Sequence, residues 1–174
     1  MIKFDVTQLK AIIENKLEIT DLKIGIIQLG EGMQQVDINE LTEVYVNNSD
    51  NKDYNNSDFT FHERLELFNK FNGWIHFAGG LSCSIQNKVI SGLKIRNRYI
   101  ESVSNIKRDD IISTLGKPDV ELIDDMAYGG FDYAIDNYIL VYENKGINFL
   151  IDPNTDKLNE IDTNQYDVNK YSKR

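Results

Sequence analysis

The sequence predicts an α+β fold in which an antiparallel sheet, ending in a C-terminal meander, carries a few packed helices. Three observations lead there. Short segments of alternating apolar and polar residues recur along the chain and crowd its last third. A few other segments space their apolar residues at helical intervals. Strands and helices also fail to alternate one for one, as a parallel βαβ sheet would require.

From the N-terminus, Asp5 or Thr7 is placed to cap a helix reaching about Lys16, with Leu9, Ile12, Ile13 and Lys16 or Leu17 on one stripe. Leu22, Ile24, Ile26 and Ile27 then predict a strand, interrupted by Gly25 and followed by a loop with Gly30 and Gly32. Alternation is cleaner over 41–46, a second strand. Residues 47–58 contain one aromatic and no aliphatic side chain, the composition of a surface loop. Phe61, Leu65, Phe68 and Phe71 space out a short helix within 59–71.

Residues 74–77 read as a strand ended by Gly79 and Gly80, and 81–86 and 89–96 as a hairpin turning at Asn87 and Lys88. A helix over 105–115 stops at Gly116 and Pro118. In the last third, Phe131, Tyr133 and Ile135 alternate with Asp132, Ala134 and Asp136, a strand with one wet face. Residues 138–143 are apolar on both faces and predict a central strand, followed through turns at 144–146 and 152–156 by strands over 147–151 and 157–161. With 174 residues, one domain over 1–162 and a polar tail over 163–174 are expected.

Composition narrows the function classes. The chain is 41% hydrophobic and 27% charged, as a self-sufficient globular domain should be. Cys83 is its one cysteine, so no internal disulfide and no cysteine-based zinc knuckle can form. No secretory leader opens the sequence, and no apolar run is long enough to span a bilayer, so a cytoplasmic location without membrane contact is expected. The formal net charge is −9. Residues 1–60 hold 11 acids and 5 bases, 61–108 hold 3 and 8, 109–162 hold 13 and 3, and the remainder 1 and 3. Nucleic acid requires a cationic footprint and is not the expected partner. A basic protein is, since an acidic surface steers its approach, although charge serves solubility as well.

No catalytic constellation stands out. His62 and His76 are the only histidines. A Cys83–His76 couple is conceivable chemically, but no nucleophile motif surrounds it, and structural roles account better for these residues. Gly30-Glu31-Gly32 lacks both a dinucleotide turn's third glycine and a P-loop's lysine. Asp152, Asn154 and Asp156 mimic the opening of a calcium loop, yet Lys157 and Thr163 occupy its diagnostic glycine and glutamate positions, so turn chemistry is the better account. The same test fails from Asp53, with Asp58 and Arg64 in those places. No metal and no cofactor is expected.

Of the paired acids, Asp109 and Asp110 suit a helix N-terminus. Asp124, Asp125, Asp132 and Asp136 surround a stretch containing Met126, Tyr128, Gly129 and Gly130. Acids interleaved with aromatics suit a surface that holds a basic protein, with Tyr128 as an anchor; a solvated face is the competing account of each residue alone.

The helix ending in Leu115-Gly116-Lys117-Pro118-Asp119, with the meander from Tyr138 to Pro153, resembles small outer-membrane assembly lipoproteins, whose lipid-bearing N-terminal cysteine is lacking here. The whole chain resembles the small acidic immunity proteins of bacterial polymorphic toxin systems, including contact-dependent growth inhibition. Size, acidity, an Asn/Asp/Ile/Lys-rich composition and α+β architecture carry that resemblance. It implies a non-catalytic protein that neutralises a cognate toxin, such as a basic nuclease, by covering its active site or substrate surface. The alternatives are a small enzyme using Cys83 or paired carboxylates, and a regulatory adaptor.

Overall fold

In a computed structural model, which describes residues 5–32, 41–47, 60–68, 72–124, 137–166 and 172–173, the α+β architecture is present. Among these residues three α-helices, α1 (Thr7–Ile13), α2 (Phe61–Phe68) and α3 (Arg108–Leu115), accompany nine strands. The strands are β1 (Leu41–Asn47), β2 (Asn72–Phe77), β3 (Leu81–Gln86), β4 (Val89–Arg96), β5 (Val120–Asp124), β6 (Asn137–Tyr142), β7 (Ile147–Asp152), β8 (Lys157–Asp162) and β9 (Ser172–Lys173). They form one sheet in the order β1-β2-β3-β4-β8-β7-β6-β5-β9, and every neighbouring pair is antiparallel.

Two meanders therefore meet at a seam. The first, β1 to β4, turns its β3–β4 hairpin with Asn87 and Lys88 both at positive φ, the conformation that matches strand twist. The second runs from β5 to β8, its β6 to β8 part being the predicted C-terminal meander, and β8 closes onto β4 with Lys94 opposite Asp162, Ile95 opposite Ile161 and Arg96 opposite Glu160. Strand alternation divides the side chains between two faces. Ile75, Phe77, Leu81, Cys83, Leu93, Ile95, Phe149, Ile151, Leu158 and Ile161 form the main core with Leu9, Ile12 and Ile13 of α1 and Ile111 of α3. Bulges preserve this division. Asn159 is the extra residue between the Leu158–Ile151 and Glu160–Leu150 pairs, so Leu158 and Ile161 both face the helices while Glu160 faces away.

The helices are fixed by local chemistry. Asp5 accepts the Thr7 amide at 3.0 Å and its hydroxyl at 2.7 Å at the start of α1. Glu63 accepts the Thr60 amide at 2.8 Å while the Thr60 hydroxyl accepts the Glu63 amide at 3.4 Å, a capping box that opens α2 beside β1. At α3, Asp110 accepts the Lys107 amide at 3.0 Å, so its place at the helix start is structural. Arg108 ties α3 to β5 through Glu121 at 2.6 Å.

Several expectations need correction. Residues 22–27 form no strand: Ile24 and Ile27 bridge across a tight turn with Gly25 at positive φ, while Leu22, Ile24 and Ile27 enter the core. Apolar spacing there reports burial beneath the helix layer, not sheet pairing. α1 ends at Ile13, because Asn15 takes a left-handed φ of 56°, and α3 begins at Arg108, after the Glu101–Val103 3-10 turn. Val120–Asp124 is a strand that the sequence reading passed over. The predicted strand over 131–136 lies outside the described residues, as does the predicted loop over 47–58 apart from Asn47, which ends β1. Among the described residues no helix is long and apolar enough to cross a membrane.

Residues 163–166 lie on the sheet. Thr163 accepts the Leu93 amide at 2.8 Å, Asn148 donates to the Asn164 carbonyl at 2.8 Å, and Tyr166 donates to Asp162 at 2.9 Å. Gly92 makes room for this return. A Cβ there would lie 2.4 Å from the Asn164 side chain and 2.6 Å from the Ser84 hydroxyl, so Gly92→Ala should cost about 1–3 kcal/mol in urea denaturation through overpacking.

Candidate functional site

Opposite the face covered by α1 and α3, polar side chains line β1 to β4 and β8, with Asp124 and Asn137 beyond a second apolar cluster of Leu122, Ile139, Val141 and Leu150 on β5 to β7. Pairing places Glu43 opposite His76, His76 opposite Ser82, Ser82 opposite Lys94, Arg96 opposite Glu160 and Asp124 opposite Asn137. Alternation puts these side chains on one surface, where a cleft of ≈ 690 Å³ opens between Glu43 and Tyr45 on one side and Asn137, Asn159 and Glu160 on the other. Ser82 on β3 leaves a low floor between an aromatic ridge and an ionic one.

The aromatic ridge belongs to β1 and β2. His76 stacks on Trp74 at 6.3 Å between centroids with 8° between planes, and Tyr45 meets His76 edge-on at 5.6 Å. His76 Nδ1 lies 2.7 Å from the Ser82 hydroxyl. Burial pushes the imidazole's pKa down, against the pull of Glu43 and with the push of Arg96 and Lys94, so the ring is neutral at pH 7. Tyr45 is 40% exposed, and its hydroxyl is held in the neutral form by a hydrogen bond with Glu43. The charge of Arg64 on α2 acts on the same phenol in the opposite direction.

The ionic ridge lies on the seam. Lys94 Nζ is 3.4 Å from Asp162, 3.8 Å from Glu160 Oε1 and 5.9 Å from the Trp74 ring centroid. Arg96 reaches Glu160 Oε2 at 3.7 Å. Glu160 is 7% exposed, and its Oε1 is buried with no hydrogen-bond partner. Burial raises its carboxyl above the usual carboxylate range; Lys94 and Arg96 oppose this, while Asp162 and Asp124 reinforce it. A raised value means that the native state binds this proton more tightly than the unfolded chain does. Its stabilising contribution is full below the ordinary value of 4.5 and is lost as pH rises through the folded value. Glu160→Gln should flatten that decline and leave the protein at least as stable at pH 7, which urea midpoints at pH 4 and pH 7 would check.

Asp124 ends β5 on this face, and its charge acts on Glu160. Asp125, Tyr128, Asp132 and Asp136 lie outside the described residues. The structure adds Glu43, Tyr45, His76, Arg96 and Glu160, brought together from strands far apart in sequence. The signal was the Asn159-Glu160-Ile161-Asp162 stretch, whose alternating acids share a face as Asp132 and Asp136 were expected to.

Cys83 and His76 do not meet as a couple. Cys83 lies opposite Ile75 in the core, 0% exposed, while His76 points to the other face. Burial pushes the thiol up to about 12, so it is neither nucleophilic nor reachable. A disulfide reagent should label Cys83 only after denaturant is added; rapid labelling of the native protein would refute this placement. His62 is exposed on α2, edge-on to Phe61. Asp152 accepts the Asn154 amide at 2.8 Å and the Thr155 hydroxyl at 3.0 Å, the turn chemistry expected of 152–156. Among the described residues no three His, Cys, Asp or Glu side chains gather as a metal site.

No family model, no curated protein and no solved structure matches this chain.

Proposed function

We propose that this chain is an immunity protein that binds and neutralises a basic bacterial toxin, such as a nuclease, by covering its active site or substrate surface. The observation that supports it is the polar face of the sheet. Asp124, Glu160, Asp162 and Glu43 share it with Lys94 and Arg96, so carboxylates outnumber the strand-borne cations beside an aromatic ridge. Such a surface attracts a basic partner at long range and holds it through desolvated aromatic contacts. The separation of charge along the chain contributes, because the acid-rich residues 109–162 build α3 and the β5–β8 meander.

The test is co-expression with the product of a linked toxin gene, followed by association and dissociation kinetics at two ionic strengths. The parent protein should protect cells and bind; absence of both removes the proposal. Replacing Asp124, Asp125, Asp132 and Asp136 by Asn should slow association by roughly tenfold at low salt and weaken its salt dependence. Tyr128→Ala should act through dissociation instead, by about tenfold or more if the ring is a buried anchor.

A further inference from the structure

We propose that the cleft between Glu43 and Glu160 is a slot for one arginine side chain of the protein partner, a reading that rests on the partner being basic as proposed above. The first ground is an unmet need. Glu160 Oε1 is buried without a hydrogen bond, and both cations beside this carboxylate stand at 3.7–3.8 Å, close enough for charge but too far for directed bonds. A buried carboxylate oxygen needs a directed donor, and a guest that supplies one removes the penalty of leaving it unbonded.

The second ground is the shape and charge of the walls. Tyr45 and His76 present rings on one side, with Glu43 beside them, and Asn97, Asn137 and Asn159 supply carboxamides at the rim. A planar guanidinium stacks on such rings and donates in a fixed fork to a carboxylate, whereas an ammonium is a compact point charge. Lys94 already brings an ammonium to 3.8 Å and leaves Oε1 without a hydrogen bond. Arg96, tethered to the adjacent strand, approaches only Oε2. An anionic guest is disfavoured by the carboxylates of Asp124, Glu160 and Glu43.

The third ground is that the slot can open without stranding a charge. Asp162 at 3.4 Å and the Trp74 ring at 5.9 Å hold Lys94 in place when the Glu160 carboxylate turns toward a guest. Arg96 is 45% exposed on its side chain and returns to water.

The experiment uses the full chain and N-acetyl-arginine amide as probe, with N-acetyl-lysine amide as its control, followed through the Trp74 indole and His76 imidazole resonances by NMR. Saturable shifts in the millimolar range are expected, the order appropriate to a ligand of about fifteen heavy atoms. The lysine amide should bind at least fivefold more weakly, and Glu160→Gln and Glu43→Gln should each weaken the arginine amide at least fivefold, with His62 unshifted throughout. Equal response to both amides, no saturation, or indifference to both substitutions would overturn the slot. Toxin binding separates this inference from the function it rests on. A parent that binds toxin while Glu160→Gln and Glu43→Gln bind equally well refutes the slot alone. A parent that seats the arginine amide but ignores the toxin supports the slot and refutes the immunity role.

Discussion

Phe149→Ala is expected to destabilise the protein by about 3–5 kcal/mol. Phe149 is 0% exposed on β7, one strand from the seam, and meets Tyr142 edge-on at 5.8 Å. Tyr142 is itself fixed, donating its hydroxyl to the Gly116 carbonyl at 2.8 Å, with burial pushing its pKa up to about 12. The site therefore has little freedom to collapse around the void, and the cost should fall near the upper end of that range. Since a domain's whole stability is about 5–15 kcal/mol, the variant should be marginal at 37 °C. Urea denaturation followed by circular dichroism measures the difference; a loss below about 1 kcal/mol would mean that Phe149 is not central to the core.

Much of the sheet was legible because its strands keep their period. Residues 81–86 and 89–96 carry both alternation and a turn pair that tolerates positive φ, and their observed bounds coincide with the reading. Residues 138–143 and 147–151 are apolar enough to identify central strands without periodicity. Leu22, Ile24 and Ile27 misled for a related reason: apolar spacing records burial, and a tight turn beneath α1 buries side chains as a strand does. Val120–Asp124 was missed because five residues starting just after Pro118 offer too short a pattern. At α2 the boundary was available, since Thr60 and Glu63 spell a capping box three residues apart.

The candidate site was less legible. Acidity led to the expectation of a basic partner, and Asp124 stands on the same face as Glu160. Its neighbours there come from strands distant in sequence: Glu43 and Glu160 face one cleft only because β1-β2-β3-β4 joins β8 edge to edge. Sequence spacing holds no record of that seam. Nor does it reveal the Asn159 bulge, without which Glu160 would fall on the helix face.

Asp162→Ala is expected to cost about 2–4 kcal/mol, through lost hydrogen bonds to a buried charged acceptor. Asp162 is 1% exposed and serves three neighbours at once. It accepts the Asn164 amide at 2.8 Å and the Tyr166 hydroxyl at 2.9 Å, and it holds Lys94 at 3.4 Å. Alanine would leave the Tyr166 hydroxyl without this acceptor and release the return over Gly92, where Asn164 packs. Lys94 would be left with the Glu160 carboxylate and the Trp74 ring. Asp162→Asn separates charge from hydrogen bonding, because its carboxamide still accepts from the Asn164 amide and can donate to the Tyr166 oxygen. That variant should lose less, and its deficit should shrink further in a Lys94→Met background if the ion pair is the lost term. Urea midpoints for the two single substitutions and the double substitution measure this coupling. An Asp162→Ala variant within about 1 kcal/mol of the parent would show that residues 163–166 and the seam do not depend on this carboxylate.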